Sequence, residues 1–404
     1  MATTKVRGEL VDLNESTSES GLKMPTGDNN NRPTAATGMI RNNTNESSDS
    51  SASCEEYYNG SAWKQLNNVA IPDYFNTLTW TGDSSGTYPV TSSKDITGLG
   101  FQPDYVVVKR TDGTGSYTVY DSNRGDFEYM YWNSGSGTGN TGSGTYPGGI
   151  GALSDGIKVW DDAAGNYGVN GPGNSYIAYC WQVNGGTTVS NGEGNVTSTV
   201  QVNTDAGFSI VSFTTPASPS GSTTVGHGLG ATPDMILLKR TDGTEDWYMY
   251  QTGMGLNEFM SINTQNSQST ATNLFGVVNS TVFCPSFTLT GNQACIAYCF
   301  KETAELSKWG TYTGTGLAGQ TITVGFEPTW ILLKSTVGTD NWRLYDTTRG
   351  ITAGGYLEPN NTDGNNTANA PAMTITSTGW EITSGGVAIG DNAAGNAYTY
   401  WAIK

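Results

Sequence analysis

The sequence predicts an all-β protein, an extended N-terminal anchor followed by three tandem antiparallel β-sandwich-like domains. Three observations carry that expectation. A phrase with the grammar of a strand and a turn is written three times, as "FQPDYVVVKRTDGT" (101–114), "ATPDMILLKRTDGT" (231–244) and the more worn "FEPTWILLKSTVGT" (326–339). Glycine supplies 54 of the 404 residues, Tyr 21 and Trp 11, while only 14% are charged, a balance that suits short strands joined by tight turns. Stretches with apolar residues at helical spacing are few, and Gly, Asn or Thr cuts them within a turn or two.

Within each copy a proline ends the preceding loop, four or five apolar residues follow, and a lysine leads into a turn. Asp112-Gly113 and Asp242-Gly243 predict type I′ hairpin turns, which need positive φ at both central residues; the third copy keeps only Gly338. An aromatic, alternating strand comes next in every copy: "SYTVYD" (116–121), "DWYMYQ" (246–251) and "NWRLYD" (341–346). A closing strand follows further on, "YIAYCW" (176–181), "CIAYCF" (295–300) and "YTYWAI" (398–403), and an opening strand recurs from Phe75, Phe208 and Trp309. These words divide the chain into an anchor at 1–70 and repeats at 71–185, 204–305 and 306–404, each with a sandwich-like pattern of short strands. The Gly/Ser-rich insert "NSGSGTGNTGSGTYPGGIG" (133–151) and the linker "NGGTTVSNGEGNVTS" (184–198) read as loops.

The first 70 residues differ in kind. "LNESTSESGLKMPTGDNNNRPTAATGMIRNNTNESSDSSASC" (13–54) has too little apolar content to fold alone and is expected to be disordered unless neighbouring subunits hold it. Only "EEYYNGSAWKQL" (55–66) reads as a hairpin, with Asn59-Gly60 as its turn.

Charge and composition exclude several functions. A net charge of −17 argues against a phosphate-tracking surface, so nucleic acid is not the expected partner. No apolar run approaches the roughly 20 residues of a membrane span, and the first 20 residues lack the apolar core of a signal peptide, so no membrane insertion is expected. Of the five cysteines, Cys295 and Cys299 lie on one predicted strand, roughly 13 Å apart, too far to pair. Without a secretory route the Asn-x-Ser/Thr strings are polar composition only.

The segment "LKMPTGDNNNRPTAATGMIRNNTN…EEYYNGSAWKQL" resembles a short N-terminal module of phage tail-fibre and other virion proteins. The tripled "F-x-P-D-x-(apolar)-K … Y-D-x-x-R-G … Y-x-A-Y-C-W" is similar to a repeat module of marine phage, especially cyanophage, virion structural proteins. The resemblance covers most of the chain and implies a non-enzymatic virion structural protein, a tail-fibre or surface-appendage subunit. It would be made in the host cytoplasm, anchored to other virion proteins through residues 1–70 and, by analogy with phage fibres, homotrimeric. A host-surface polysaccharide-binding adhesin, a capsid decoration protein and a glycan depolymerase are the alternative readings. Repeat two departs from the pattern, with "YQTGMG" where the others have "YDSNRG" and "YDTTRG".

Few residues offer chemistry. Asp121 with Arg124, and Asp346 with Arg349, follow the aromatic strand at a turn; repeat two replaces both charges together, with Gln251 and Met254, as expected of a structural ion pair. A ligand contact is the second reading of these four residues. The chain has one histidine, His227, which excludes multi-His metal sites, and a nucleophile paired with it is not expected. "GTGLAG" (314–319) matches a dinucleotide fingerprint letter for letter, but a strand-like "QTITVGF" follows it, so a turn is expected. "DDAAGN" (161–166) and "DNAAGN" (391–396) lack a full calcium-loop ligand set and also read as turns. Cys180 and Cys299 share a slot that Ala402 fills in repeat three, which predicts a small buried position. No catalytic residue, cofactor or metal is expected; among 36 acidic residues no local pattern favours a glycosidase-type pair.

Overall fold

The structure is a computed structural model that describes residues 74–404 apart from 84–92, 141–148, 161–167, 286–290, 352–354, 368–372 and 384–390, together with four strands and Ser61 of the N-terminal segment. The chain divides into two compact units, Met1–Asp73 and Tyr74–Lys404.

In the first unit Thr26–Gly27, Ile40–Asn43, Cys54–Tyr58 and Trp63–Gln65 form one sheet in chain order, the first pair parallel and the others antiparallel. The expected hairpin is present, with Tyr58 opposite Trp63; its turn residues Asn59 and Gly60 lie outside the described residues. The rest of this segment is not wholly extended, because Ile40–Asn43 adds a strand to the hairpin. With one apolar residue in four, "IRNN" carries no alternation to betray it.

The second unit is all-β among its described residues. In the first repeat the main sheet runs Phe75–Thr81, Ser175–Trp181, Tyr105–Arg110, Thr118–Asp121, Glu128–Tyr131, Gly139–Asn140 from edge to edge. The second repeat has the same order, Phe208–Thr214, Ala294–Phe300, Met235–Arg240, Tyr248–Gln251, Glu258–Ser261, Ser269–Thr270, with Ser198–Asn203 and Val189–Asn191 added beyond the opening strand. The third keeps its first four members, Ser307–Thr313, Ala397–Ile403, Trp330–Ser335 and Arg343–Asp346. Each repeat adds a second, three-stranded sheet: Gly149–Leu153, Gly156–Trp160, Ser93–Thr97 in the first; Val225–Gly226, Val282–Pro285, Leu274–Val278 in the second; Gln320–Thr323, Gly379–Ile382, Met373–Thr376 in the third.

Three sequence expectations are corrected here. Val189–Asn191, Gly139–Asn140 and Gly149–Leu153 are strands inside stretches read as loops; all three pair through backbone groups, which Gly and Ser supply as well as any residue. The third opening strand begins two residues before its tryptophan, since Ser307 opposes Ile403 where Phe75 opposes Trp181. The Asp-Gly turns are not two-residue turns. Strand pairing stops at Val108–Thr118, Leu238–Tyr248 and Leu333–Arg343, leaving nine residues in each connection, and Gly113 and Gly243 do not take positive φ.

The apolar run of the phrase explains the architecture. A strand buried on both faces loses its alternation, and here the two faces serve different cores. Val106 and Val108 pack with Ile96, Ile157 and Val159 between the two sheets of their own repeat, while Tyr105 and Val107 face a second cluster. Ile236 and Leu238 divide from Met235 and Leu237 in the same way, as do Ile331 and Leu333 from Trp330 and Leu332. That second cluster is common to all three repeats, which contribute ten, twelve and eight residues. The repeats are therefore sandwiches fused on one centre, not three separate bodies along the chain. Trp401 marks that centre, its ring 5.8 Å from Trp181 of the first repeat and 4.7 Å from Phe300 of the second.

Candidate functional site

The four sequence-predicted residues lie where one repeat meets another. Asp121 and Asp346 close the aromatic strands, and Arg124 and Arg349 lie three residues on in the turn, so each arginine folds back on its own aspartate. Arg124 Nε is 2.5 Å from Asp121 Oδ2, its backbone N–H donates to Oδ1 (3.0 Å), and Nη2 donates to the Val119 carbonyl (3.2 Å). Arg349 repeats the arrangement on Asp346 at 2.6 and 2.8 Å and on the Leu344 carbonyl at 3.3 Å. The structure brings each pair within ion-pair distance, and each has a third member that the sequence does not mark. Tyr298, from the closing strand of repeat two, donates its hydroxyl to Asp121 Oδ2 in repeat one (2.6 Å). Tyr179, from repeat one, donates likewise to Asp346 in repeat three (2.8 Å).

Repeat three should then reach repeat two, and it does so with altered chemistry. The closing-strand slot holds Trp401, which has no hydroxyl to offer a carboxylate, and the receiving slot holds Gln251 in place of Asp. Gln251 Nε2 instead donates to the Tyr400 and Gly310 carbonyls of repeat three, at 3.1 and 3.2 Å. Asp, Arg and Tyr are all absent at this one seam, and the three seams close a ring.

A second set of residues repeats around that ring. Lys109, Lys239 and Lys334, the lysines of the phrase, are at most 1% exposed. Lys109 Nζ donates to Gly115 O (2.6 Å) and across the seam to Thr362 O of repeat three (3.0 Å). Lys239 donates to Gly135 O of repeat one (2.5 Å) and to Glu245 O, and Lys334 to Gln265 O of repeat two (3.2 Å). The nine-residue connections thus dock on the neighbouring repeat, which is the physical reason they are not tight turns. Backbone N–H groups of Thr138, Gln268 and Asn365 donate to Thr241, Thr336 and Thr111 carbonyls at 2.7, 3.1 and 2.9 Å. Gly137 is required by this approach, since a Cβ there would lie 2.6 Å from Thr241 O.

Burial sets the electrostatics. It raises the Tyr298 and Tyr179 hydroxyl pKa well above the usual value, with Asp121 and Asp346 adding to the shift. For Arg124, burial opposes the charge while Asp121 and Tyr298 favour it, and the net shift is upward. Burial brings Lys109, Lys239 and Lys334 down to about 8.

His227 is buried, accepts from Leu229 N–H at Nδ1 (3.2 Å) and places Nε2 3.0 Å from Asn279 O; burial lowers its pKa. The 314–319 string is a turn held by Asn392, whose Oδ1 accepts from Thr315 N–H (2.7 Å) and whose Nδ2 donates to Leu317 O (2.8 Å). Asp391 of "DNAAGN" is engaged by Arg343 and by the Tyr345 hydroxyl, and "DDAAGN" lies outside the described residues. Cys180, Cys295 and Cys299 are buried free thiols with raised pKa, Cys295 to about 12.

Three shallow depressions lie along the seams. One of about 540 Å³ is lined by Glu258, Gln268, Thr270 and Val337 at the seam of repeats two and three. Its counterpart at the seam of repeats one and two, about 270 Å³, is lined by Glu128, Thr138, Thr241, Asp242 and Arg124, and a third of about 530 Å³ shares Arg124 and Thr241 with it. Among the described residues no group of three or more His, Cys, Asp or Glu could hold a metal ion, and no helix is long and apolar enough to cross a membrane.

No curated protein and no solved structure matches the chain significantly. One family model matches residues 71–404, which is the whole three-repeat unit, and the chain belongs to that family, described as a domain of unknown function (DUF7483).

Proposed function

We propose that the protein is a non-enzymatic virion structural protein, a tail-fibre or surface-appendage subunit anchored to other virion proteins through residues 1–70. One observation carries this reading: the polar residues that recur with the repeat are engaged in holding repeats together. Asp121 and Asp346 are filled by Arg and Tyr partners, and the three phrase lysines by carbonyls of the neighbouring repeat. A unit copied for such seams is copied for shape. The N-terminal string and its resemblance to virion modules supply the anchor. The threefold arrangement is met inside one chain, so a homotrimer would form through surfaces other than these seams.

Labelling intact particles with an antibody to residues 310–404 tests the proposal. Antibody on the tail or capsid surface of purified particles is the expected result. A protein abundant in infected cells and missing from particles overturns it.

A further inference from the structure

We propose that the seam between repeats one and two is a binding groove for a neutral, hydroxyl-rich chain, a glycan, with Arg124 as its anchor. This deepens the appendage reading above and rests on it for its biological setting. The Arg124 side chain is 9% exposed, and it lines both depressions of this seam. Its Nε and Nη2 are engaged, whereas Nη1 has no hydrogen-bond partner. The hydroxyl of Thr138, on the same depression, also has none.

The other two seams show why this is particular. At the equivalent place in repeat three, Arg349 Nη1 donates to Asn365 Oδ1 (2.8 Å). Asn365 and Thr138 are counterparts, since their backbone N–H groups bond the equivalent carbonyls of Thr111 and Thr241. At the remaining seam Met254 stands in the arginine slot. Seam one–two alone couples a guanidinium N–H to a side chain too short to satisfy it, and a buried unsatisfied donor is a cost that an incoming acceptor removes.

Charge decides which acceptor. Asp121 already neutralises Arg124, Glu128 and Asp242 flank it, and the chain carries −17, so a carboxylate or phosphate meets net repulsion. A hydroxyl does not. The walls of the larger depression, with Thr199, Ser212 and Thr214, offer hydroxyls that both donate and accept, and its volume of about 530 Å³ falls in the range of small-ligand sites.

The test is calorimetric titration of the full chain with dextran- and mannan-derived hexasaccharides and with hexagalacturonate as the anionic counterpart. A neutral hexasaccharide should bind, and Thr138→Asn, which hands Nη1 the acceptor that Asn365 gives Arg349, should weaken it by about tenfold or more. Thr138→Asn should melt no lower than the parent chain, and Gln268→Asn at the next seam should leave binding unchanged. No binding of either neutral sugar, binding indifferent to Thr138→Asn, or preference for hexagalacturonate overturns the proposal. Such a failure leaves placement on the particle standing, because particle labelling reads that separately.

Discussion

Replacing Tyr298 with Phe removes one atom from the seam between repeats one and two, and the structure sets what that should cost. The hydroxyl is fully buried and donates to an ionised acceptor at 2.6 Å, a bond worth about 1.5–3 kcal/mol by the behaviour of charge-linked hydrogen bonds. The carboxylate keeps Arg124 through Nε and the backbone N–H, so the full penalty of a stranded buried charge, on the order of 3–5 kcal/mol, does not apply. The ring of Phe fills the same space. The expected loss is therefore about 2 kcal/mol, read as a lower urea midpoint at unchanged slope. Tyr179→Phe, at the next seam, should cost a similar amount because its geometry is equivalent. Either variant unfolding within about 0.5 kcal/mol of the parent refutes the view that these triads hold the repeats together.

Further outcomes follow from the same seams. Met254→Arg buries a charge beside Gln251 and should destabilise by on the order of 3 kcal/mol, while Gln251→Asp with Met254→Arg rebuilds the pair of the other repeats and should recover most of it, as paired urea titrations would show. Gly137→Ala should cost about 1–3 kcal/mol, because its methyl meets the Thr241 carbonyl, and a midpoint equal to the parent's would count against the close approach. Stability should rise with pH from about 8 toward 10, since unfolded lysines still bind protons there that folded Lys109, Lys239 and Lys334 have released. It should fall above about 10, where unfolded tyrosines ionise and the buried Tyr105, Tyr117, Tyr179, Tyr298 and Tyr345 stay protonated. Chemical denaturation across pH 7–11 reads both limbs.

Much of this was legible in the sequence, for identifiable reasons. The phrase, the aromatic strand and the closing strand announce themselves through apolar runs and alternation, and Asp121 and Asp346 announce their arginines by vanishing together in repeat two. What stayed hidden depends on partners far apart in the chain. Tyr298 lies 177 residues from Asp121, and nothing local marks it. One signal was there to be read: the closing-strand slot reads Tyr, Tyr, Trp and the turn slot Asp, Gln, Asp, but matching Trp401 to Gln251 requires knowing which repeat follows which around the ring. The Asp-Gly turns misled because turn propensity is local, whereas these connections are pulled open by the neighbouring repeat. Strands such as Gly139–Asn140 and Ile40–Asn43 are held by backbone bonds, which leave no trace in side-chain patterning.

Native-state hydrogen exchange on the full chain, at rising sub-denaturing urea, tests the closed ring most directly. Because one shared core and three seams join the repeats, amides of Ser175–Trp181, Ala294–Phe300 and Ala397–Ile403 should converge on a single opening free energy and lose protection together. Three closing strands opening independently, each at its own urea concentration, would show that the repeats stand alone.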